Sequence, residues 1–250
     1  MTSAPAQEET PIRPASTLIL VRDADPSFEI LMLKRTTKAA FASGMYVFPG
    51  GRIEADDGRP DYIPFLQPML PHQARQYAAL GDDHFGAYIA AIRETFEESG
   101  VLMAKNKSSN WATIEPKLAQ AARRDLHDGI LSLIDFCRDH DLRLAVDELD
   151  FYNRWTTPPG RPRRFDTRFF IGVAPPQARG KEDGIETTDA VWISPGDALA
   201  RHEAGDFDLM AVTVKQLAAM SDYGSVTSLK RALIEQTTFP HYQPPDYVPT

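Results

Sequence analysis

Three features of the sequence predict an α/β fold. Short segments rich in β-branched and apolar residues lie both before and after one strongly amphipathic segment of helical period, and proline or glycine clusters separate them. A hydrophobic content of 42% over 250 residues suffices for an ample core. We expect a single elaborated domain over residues 16–238, with a flexible arm at residues 1–15 and a proline-rich tail at residues 239–250.

The elements follow in chain order. Pro5, Pro11 and Pro14 mark the arm as extended or disordered. Residues 17–21 and 28–33 read as a strand pair around the turn-forming Asp23-Ala24-Asp25-Pro26, and residues 45–48 as a third strand running into Gly50-Gly51. Pro60, Pro64, Pro68 and Pro71 forbid a long helix there, so residues 53–83 are expected to form an excursion of loops and short helical turns. A helix starting at Ala74 or His84 runs through Ser99. Residues 115–127 and 130–140 suggest two more helices linked by Asp128-Gly129; 151–155, 164–173 and 190–193 suggest later strands. Pro195 opens a helix to His202, and residues 213–220 and 225–236 complete the helical portion. There is no internal repeat.

Bulk properties narrow the function. A formal charge of −8 gives no encouragement to nucleic-acid or membrane binding. The single Cys137 forms no intramolecular disulfide and suits a reducing compartment, where it reads as a core thiol. No apolar run approaches membrane-spanning length, the first residues lack a signal-peptide pattern, and Tyr247-Val248-Pro249-Thr250 lacks a peroxisomal address. A cytoplasmic location is expected, and the sequence is compatible with a homodimer. The six histidines lack close metal-ligand spacing, so no zinc site is expected.

The run Arg93-Glu94-Thr95-Phe96-Glu97-Glu98-Ser99-Gly100-Val101 carries the chemistry. With Ile92 as the zero direction, Phe85, Tyr88, Ile89 and Phe96 fall roughly between −40° and +60° on a helical wheel, while Glu94, Glu97 and Glu98 fall at about 200°, 140° and 240°. Like charges about 5 Å apart repel by roughly 3 kcal/mol at an effective dielectric near 20. Gly100 is a helix-ending residue, which puts Glu97 and Glu98 where the helix dipole disfavours anions. A hard divalent cation turns that repulsion into coordination. Taken alone, the run also fits a solvated acidic face with an Arg93 to Glu97 pair. Upstream, Val47-Phe48-Pro49-Gly50-Gly51 ends in a turn where the backbone can approach a ligand closely.

Together these segments resemble the signature of the Nudix hydrolase family, G-x5-E-x7-R-E-U-x-E-E-x-G-U with U aliphatic. Gly51 matches its first glycine, and Arg93, Glu94, Glu97, Glu98, Gly100 and Val101 its second half; Thr95 replaces an aliphatic residue. Gly51 and Arg93 are 42 positions apart instead of 14, so 28 residues interrupt the motif. The first glutamate has no clean counterpart: Asp57 stands there counted forward and Phe85 counted backward, and the role is left unassigned. The split motif is similar to the branch that includes the peroxisomal coenzyme A diphosphatases of animals and their bacterial relatives. Leu31, Leu33, Arg35-Thr36, Gly44 and Phe48-Pro49-Gly50-Gly51 follow much of the pattern of coenzyme A hydrolysing members, but Ala40 replaces its second arginine. The segments around Trp155, Arg164–Phe170 and Trp192 also resemble this branch.

The resemblance implies an α/β/α sandwich with a mixed sheet and a helical or loop insertion inside the motif. It implies a hydrolase dependent on Mg²⁺ or Mn²⁺ that acts on a small nucleotide-derived substrate, with Glu94, Glu97 and Glu98 as metal ligands, a backbone contribution from Gly50 or Gly51, and Arg93 in support. Coenzyme A or its thioesters is the leading substrate, with ADP-ribose, a dinucleotide or a nucleotide sugar as runner-up. A non-catalytic nucleotide-binding scaffold is the alternative outside enzymes. Glu182, Asp183 and Glu186 are candidates for the base or solvated loop acids, with Glu186 selected. Arg35 either contacts phosphate or forms a strand-edge ion pair. Arg161, Arg163, Arg164 and Arg168 either hold substrate phosphates, with Arg163 and Arg164 selected, or form a solvated turn or internal ion pairs with Asp166. Trp155 and Phe169 stack on an adenine or pack in the core.

Overall fold

The structure, a computed structural model, describes residues 10–39, 41–81 and 84–243. Its organising strand is β1 (Ile12–Asp23), which begins inside the stretch expected to be a flexible arm. The parallel partner β8 (Arg164–Val173) accounts for this: register pairs run from Ile12 with Arg164 to Val21 with Val173, so the ladder holds the proline-bearing start of β1 in the sheet. On its other edge β1 meets two partners in succession. Its Val21–Asp23 end pairs antiparallel with β2 (Phe28–Arg35), whereas Ala15, Ser16 and Thr17 pair with Arg52, Gly51 and Gly50 of the short β4 (Gly50–Arg52).

Strands β3 (Tyr46–Val47) and β9 (Thr187–Ile193) flank β2. Strand β7 (Leu149–Thr156) pairs with β8, and β10 (His241–Tyr242) pairs with β7, drawing the start of the expected tail into the sheet. These eight strands form one mixed sheet among the described residues. A separate two-stranded ladder joins β5 (Ala104–Lys105) to β6 (Arg143–Leu144).

Period-two alternation sorts the sheet's side chains onto two buried faces. Leu18, Leu20, Leu31 and Leu33 join a core with α1 (Gln73–Ala79), α2 (His84–Ser99), α3 (Pro116–His127) and α4 (Leu133–Asp139) on one side. Ile19, Val21, Ile30 and Met32 join a second core beneath α5 (Pro195–Glu203), α6 (Ala211–Ser221) and α7 (Val226–Glu235). The result is the expected α/β/α sandwich. Tyr88, Ile89, Ile92 and Phe96, the apolar stripe of α2, are all buried in the first core.

The two proposed starts for the motif helix are two helices. Gly81, with φ +79°, follows α1 and turns the chain by a left-handed step, as Gly100 with φ +70° does after α2. The interrupting segment makes a 3-10 turn at Ala55–Gly58 that leans on α2 and another at Pro60–Phe65 that leans on α4, with Tyr62 buried. No helix among the described residues is long and apolar enough to cross a membrane.

Candidate active site

Backbone without side chains brings the two halves of the motif together. The Gly50 N–H donates to Glu98 Oε2 at 3.0 Å across 48 residues of sequence. A Cβ on Gly50 would lie 2.5 Å from the Ser16 carbonyl oxygen, and one on Gly51 would lie 2.4 Å from Glu94 Oε1. A side chain at Gly50 would meet backbone, so that position requires glycine, whereas one at Gly51 would displace the Glu94 carboxylate. On the helix side, the Ser16 hydroxyl donates to the Ala87 carbonyl at 2.7 Å and pins β1 to α2.

Arg93 organises the carboxylates. Its Nε and Nη2 donate to Asp57 Oδ1 and Oδ2 at 2.9 and 3.0 Å, and Nη1 reaches Glu94 Oε1 at 3.0 Å and Glu97 Oε1 at 3.3 Å. Asp57, only 1% exposed, thus stands as Arg93's carboxylate partner, at the position counted forward from Gly51. Counting alone offered it and Phe85 equally; burial and bidentate geometry decide for Asp57. Burial acts against charge on Arg93, but Asp57, Glu94 and Glu97 more than compensate and hold it protonated.

The acidic face is not solvated. Burial pushes the Glu94 carboxyl up to about 7 against the pull of Arg93, with Glu97 adding to the rise. Burial likewise raises Glu98 well above the ordinary range, reinforced by Glu94, and raises Glu97. Arg35 approaches Glu98 Oε1 with Nη1 at 3.5 Å and Glu186 Oε2 with Nη2 at 3.3 Å, while its buried Nε has no hydrogen-bond partner among the described residues.

Glu94, Gly50, Gly51, Arg35 and Glu186 share a cavity of about 420 Å³. Phe41, Trp155, Phe165 and Phe169 supply aromatic walls, and Arg163 lines it too. Trp155 and Phe169 pack in the second core as well as lining the cavity. Of the three helix glutamates only Glu94 lines it; Glu97 is held by Arg93, and Glu98 lies behind Gly50. No three His, Cys, Asp or Glu side chains among the described residues converge into a ready metal cage. The donor chemistry still fits a hard cation: Glu94 and Glu98 are desolvated, mutually repelling oxygen ligands beside an accessible backbone.

The arginine-rich stretch does not act as one patch. Arg164 is buried and donates through Nε to the Thr157 carbonyl at 3.1 Å, away from the cavity lining. Arg168 is also buried and bonds the Leu80 carbonyl and Asp166. Arg161 is exposed outside the lining. The cause is strand alternation: positions 164, 166, 168 and 170 of β8 face the α2 side, whereas Phe165, Thr167 and Phe169 face the cavity. Asp183 is structural, accepting from the backbone amides of Ile185, Glu186 and Thr187 at 2.8–3.0 Å. Ala40 lies outside the described residues.

A sandwich whose interrupted motif closes a glycine turn onto a carboxylate helix defines a Nudix domain. More particularly, residues 4–219 match the family model described as the NUDT19 Nudix domain, and the chain belongs to that family. It is similar to the acyl-coenzyme A diphosphatase NUDT19 of Xenopus laevis, 25% identical with 84% of this chain and 64% of the relative covered. It is also similar to the Homo sapiens protein of that name, 25% identical with 82% and 63% covered. The putative nudix hydrolase 7 of Caenorhabditis elegans is 29% identical, with 84% and 60% covered. The chain thus spans under two thirds of these relatives' length. The crystal structure of a NUDIX hydrolase from Alicyclobacillus acidocaldarius superposes with a TM-score of 0.77 at 27% identity, covering 94% of this chain and 99% of that one.

Proposed function

We propose that the chain is a hydrolase that cleaves the diphosphate of coenzyme A or its acyl thioesters with the help of Mg²⁺ or Mn²⁺. The observation that carries this reading is the burial of Glu94 and Glu98 against Gly50-Gly51, beside a cavity with cationic and aromatic walls. Membership in the NUDT19 Nudix domain family supports the choice of reaction, and relatives named acyl-coenzyme A diphosphatase support the choice of substrate.

Nudix hydrolases generally use divalent cations. Here Glu94 and Glu98 would hold the ion, with Gly51 offering backbone and Glu97 completing the carboxylate set. Such an ion neutralises charge on the diphosphate oxygens and makes a nearby water more acidic. Arg93 keeps Glu94 and Glu97 oriented. Arg35 draws a phosphate oxygen into the cavity, and Glu186 beside it takes the proton of the attacking water. Water forms the new P–O bond as the bridging P–O bond breaks. Coenzyme A yields 3′,5′-ADP and 4′-phosphopantetheine. Trp155, Phe165 and Phe169 suit the adenine, and Arg163 suits the 3′-phosphate.

A reducing compartment such as the cytoplasm suits Cys137, whose thiol burial pushes up to about 12. The substrate assignment is tested by comparing acyl-coenzyme A, coenzyme A, dephospho-coenzyme A and ADP-ribose with each metal. Ala40 makes ADP-ribose the informative competitor. Faster cleavage of ADP-ribose than of either coenzyme A compound overturns the substrate assignment but leaves phosphoanhydride hydrolysis standing.

A further inference from the structure

The 181–186 loop has a cavity on each side. Glu186 lines the one already described, whereas residues 181–185 line a second and larger one of about 620 Å³. The end of α2 forms part of its wall. Lys181 N–H donates to the Ser99 carbonyl at 2.8 Å, the Thr187 hydroxyl reaches the Glu98 carbonyl at 3.3 Å, and Arg123 Nε donates to the Glu97 carbonyl at 3.0 Å. The backbone that presents the carboxylates to one cavity therefore borders the other.

The two linings differ in kind. The first is aromatic; the second is mainly aliphatic, with Val101, Leu102, Ile114, Ala119 and Ala178 beside Phe96. Arg123, Arg124, Arg179 and Lys181 surround it on a chain of net charge −8, and none of the four forms an ion pair among the described residues. Glu182 and Asp183 also line the cavity and face Arg123, which donates to the Glu97 and Lys181 carbonyls, so Arg124, Arg179 and Lys181 are the cations left for a ligand. Three cations without ion pairs among the described residues, gathered beside apolar surface, favour an anion that carries an aliphatic chain.

We propose that this second cavity holds the acyl-phosphopantetheine half of the substrate. This inference rests on the coenzyme A reading and deepens it. The aliphatic wall takes the pantetheine arm and its acyl chain, and Arg124, Arg179 and Lys181 attract the phosphate on that side of the diphosphate. One long ligand of two unlike halves then matches two cavities of matching character, with the α2 terminus between them.

Direct binding tests the idea without turnover. Dodecanoyl-4′-phosphopantetheine is titrated calorimetrically into the full chain and into two variants, the exposed pair Arg124→Ala/Lys181→Ala and the space-filling Ala119→Phe. The charge variant should weaken binding by about ten- to a hundredfold, the loss expected for charge-assisted contacts. Ala119→Phe should lose the acylated compound while keeping wild-type affinity for 4′-phosphopantetheine. Wild-type affinity for the acylated compound in both variants overturns the cavity assignment, even if coenzyme A is cleaved. Binding that is lost in the variants of a protein inactive on coenzyme A supports the cavity and overturns the reaction instead.

Discussion

Asp57 grips Arg93 through two hydrogen bonds of 2.9 and 3.0 Å, joining the interrupting segment to the carboxylate helix across 36 residues of sequence. Because the pair is buried, Asp57→Asn leaves a poorly compensated guanidinium and should cost about 3 kcal/mol. For a chain of this size that lowers Tm by roughly 10 °C. Turnover should fall as well, since Arg93 also holds Glu94 and Glu97. A Tm within a degree or two of wild type, read by calorimetry, would show that the pair does not set this geometry.

Gly51→Ala tests the close approach. The added Cβ would lie 2.4 Å from Glu94 Oε1, so the carboxylate must move. Turnover should drop by at least about tenfold while the fold survives, a change of roughly 1.4 kcal/mol or more in transition-state stabilisation. Full activity in this variant contradicts the placement of Glu94 at the reacting centre.

Metal binding should depend on the three carboxylates. Mg²⁺ or Mn²⁺ raises the wild-type Tm by mass action if it binds the folded state alone. Glu94→Ala or Glu98→Ala should abolish most of that rise. Glu97→Ala should weaken it too, because Glu97 shares Arg93 with Glu94 and completes the carboxylate set. Equal shifts in all four proteins would place the ion elsewhere.

The metal-free protein should lose stability as pH rises. A carboxyl whose folded-state pKa is raised contributes stability that is complete below its unfolded value, 4.5 for Glu94, and is lost as pH passes about 7. The Glu94 shift corresponds to an effect on the order of 3 kcal/mol, and the raised Glu98 and Glu97 act in the same direction. Urea unfolding at pH 5.5 and 8 reads it. Glu94→Gln/Glu98→Gln should flatten the profile; a flat wild-type profile contradicts the desolvated pair.

Much of this was legible in the sequence because it depends on local period. The apolar stripe from Tyr88 to Phe96, Gly100 as the stop and the strands at residues 28–33 and 164–173 each follow from spacing alone. The convergence of Gly51 with Glu94 followed from the chemistry that both must serve. Roles set by distant partners were not legible. Whether Arg164 and Arg168 hold phosphates or turn inward, as Arg168 does onto Asp166, is undecided until β8 alternation is known, because only the sheet tells which parity faces the cavity. Glu97 and Glu98 share a helical face, yet Arg93 claims one and Gly50 the other. Asp57 needed the folded excursion to reach Arg93. The strands β4 and β10 are too short to carry a pattern, and exist through pairing with β1 and β7.

The central claim is that the buried Glu98 carboxylate, met by the Gly50 amide, drives cleavage of the coenzyme A diphosphate. The direct measurement is the rate of 3′,5′-ADP release from coenzyme A in Mg²⁺, identified by mass, in wild type and Glu98→Gln, with Tm recorded for both. The expected result is 3′,5′-ADP from the wild type and a loss of at least about a hundredfold in the variant, roughly 2.7 kcal/mol or more, with Tm unchanged or higher. Release of 3′,5′-ADP by Glu98→Gln at the wild-type rate would contradict it.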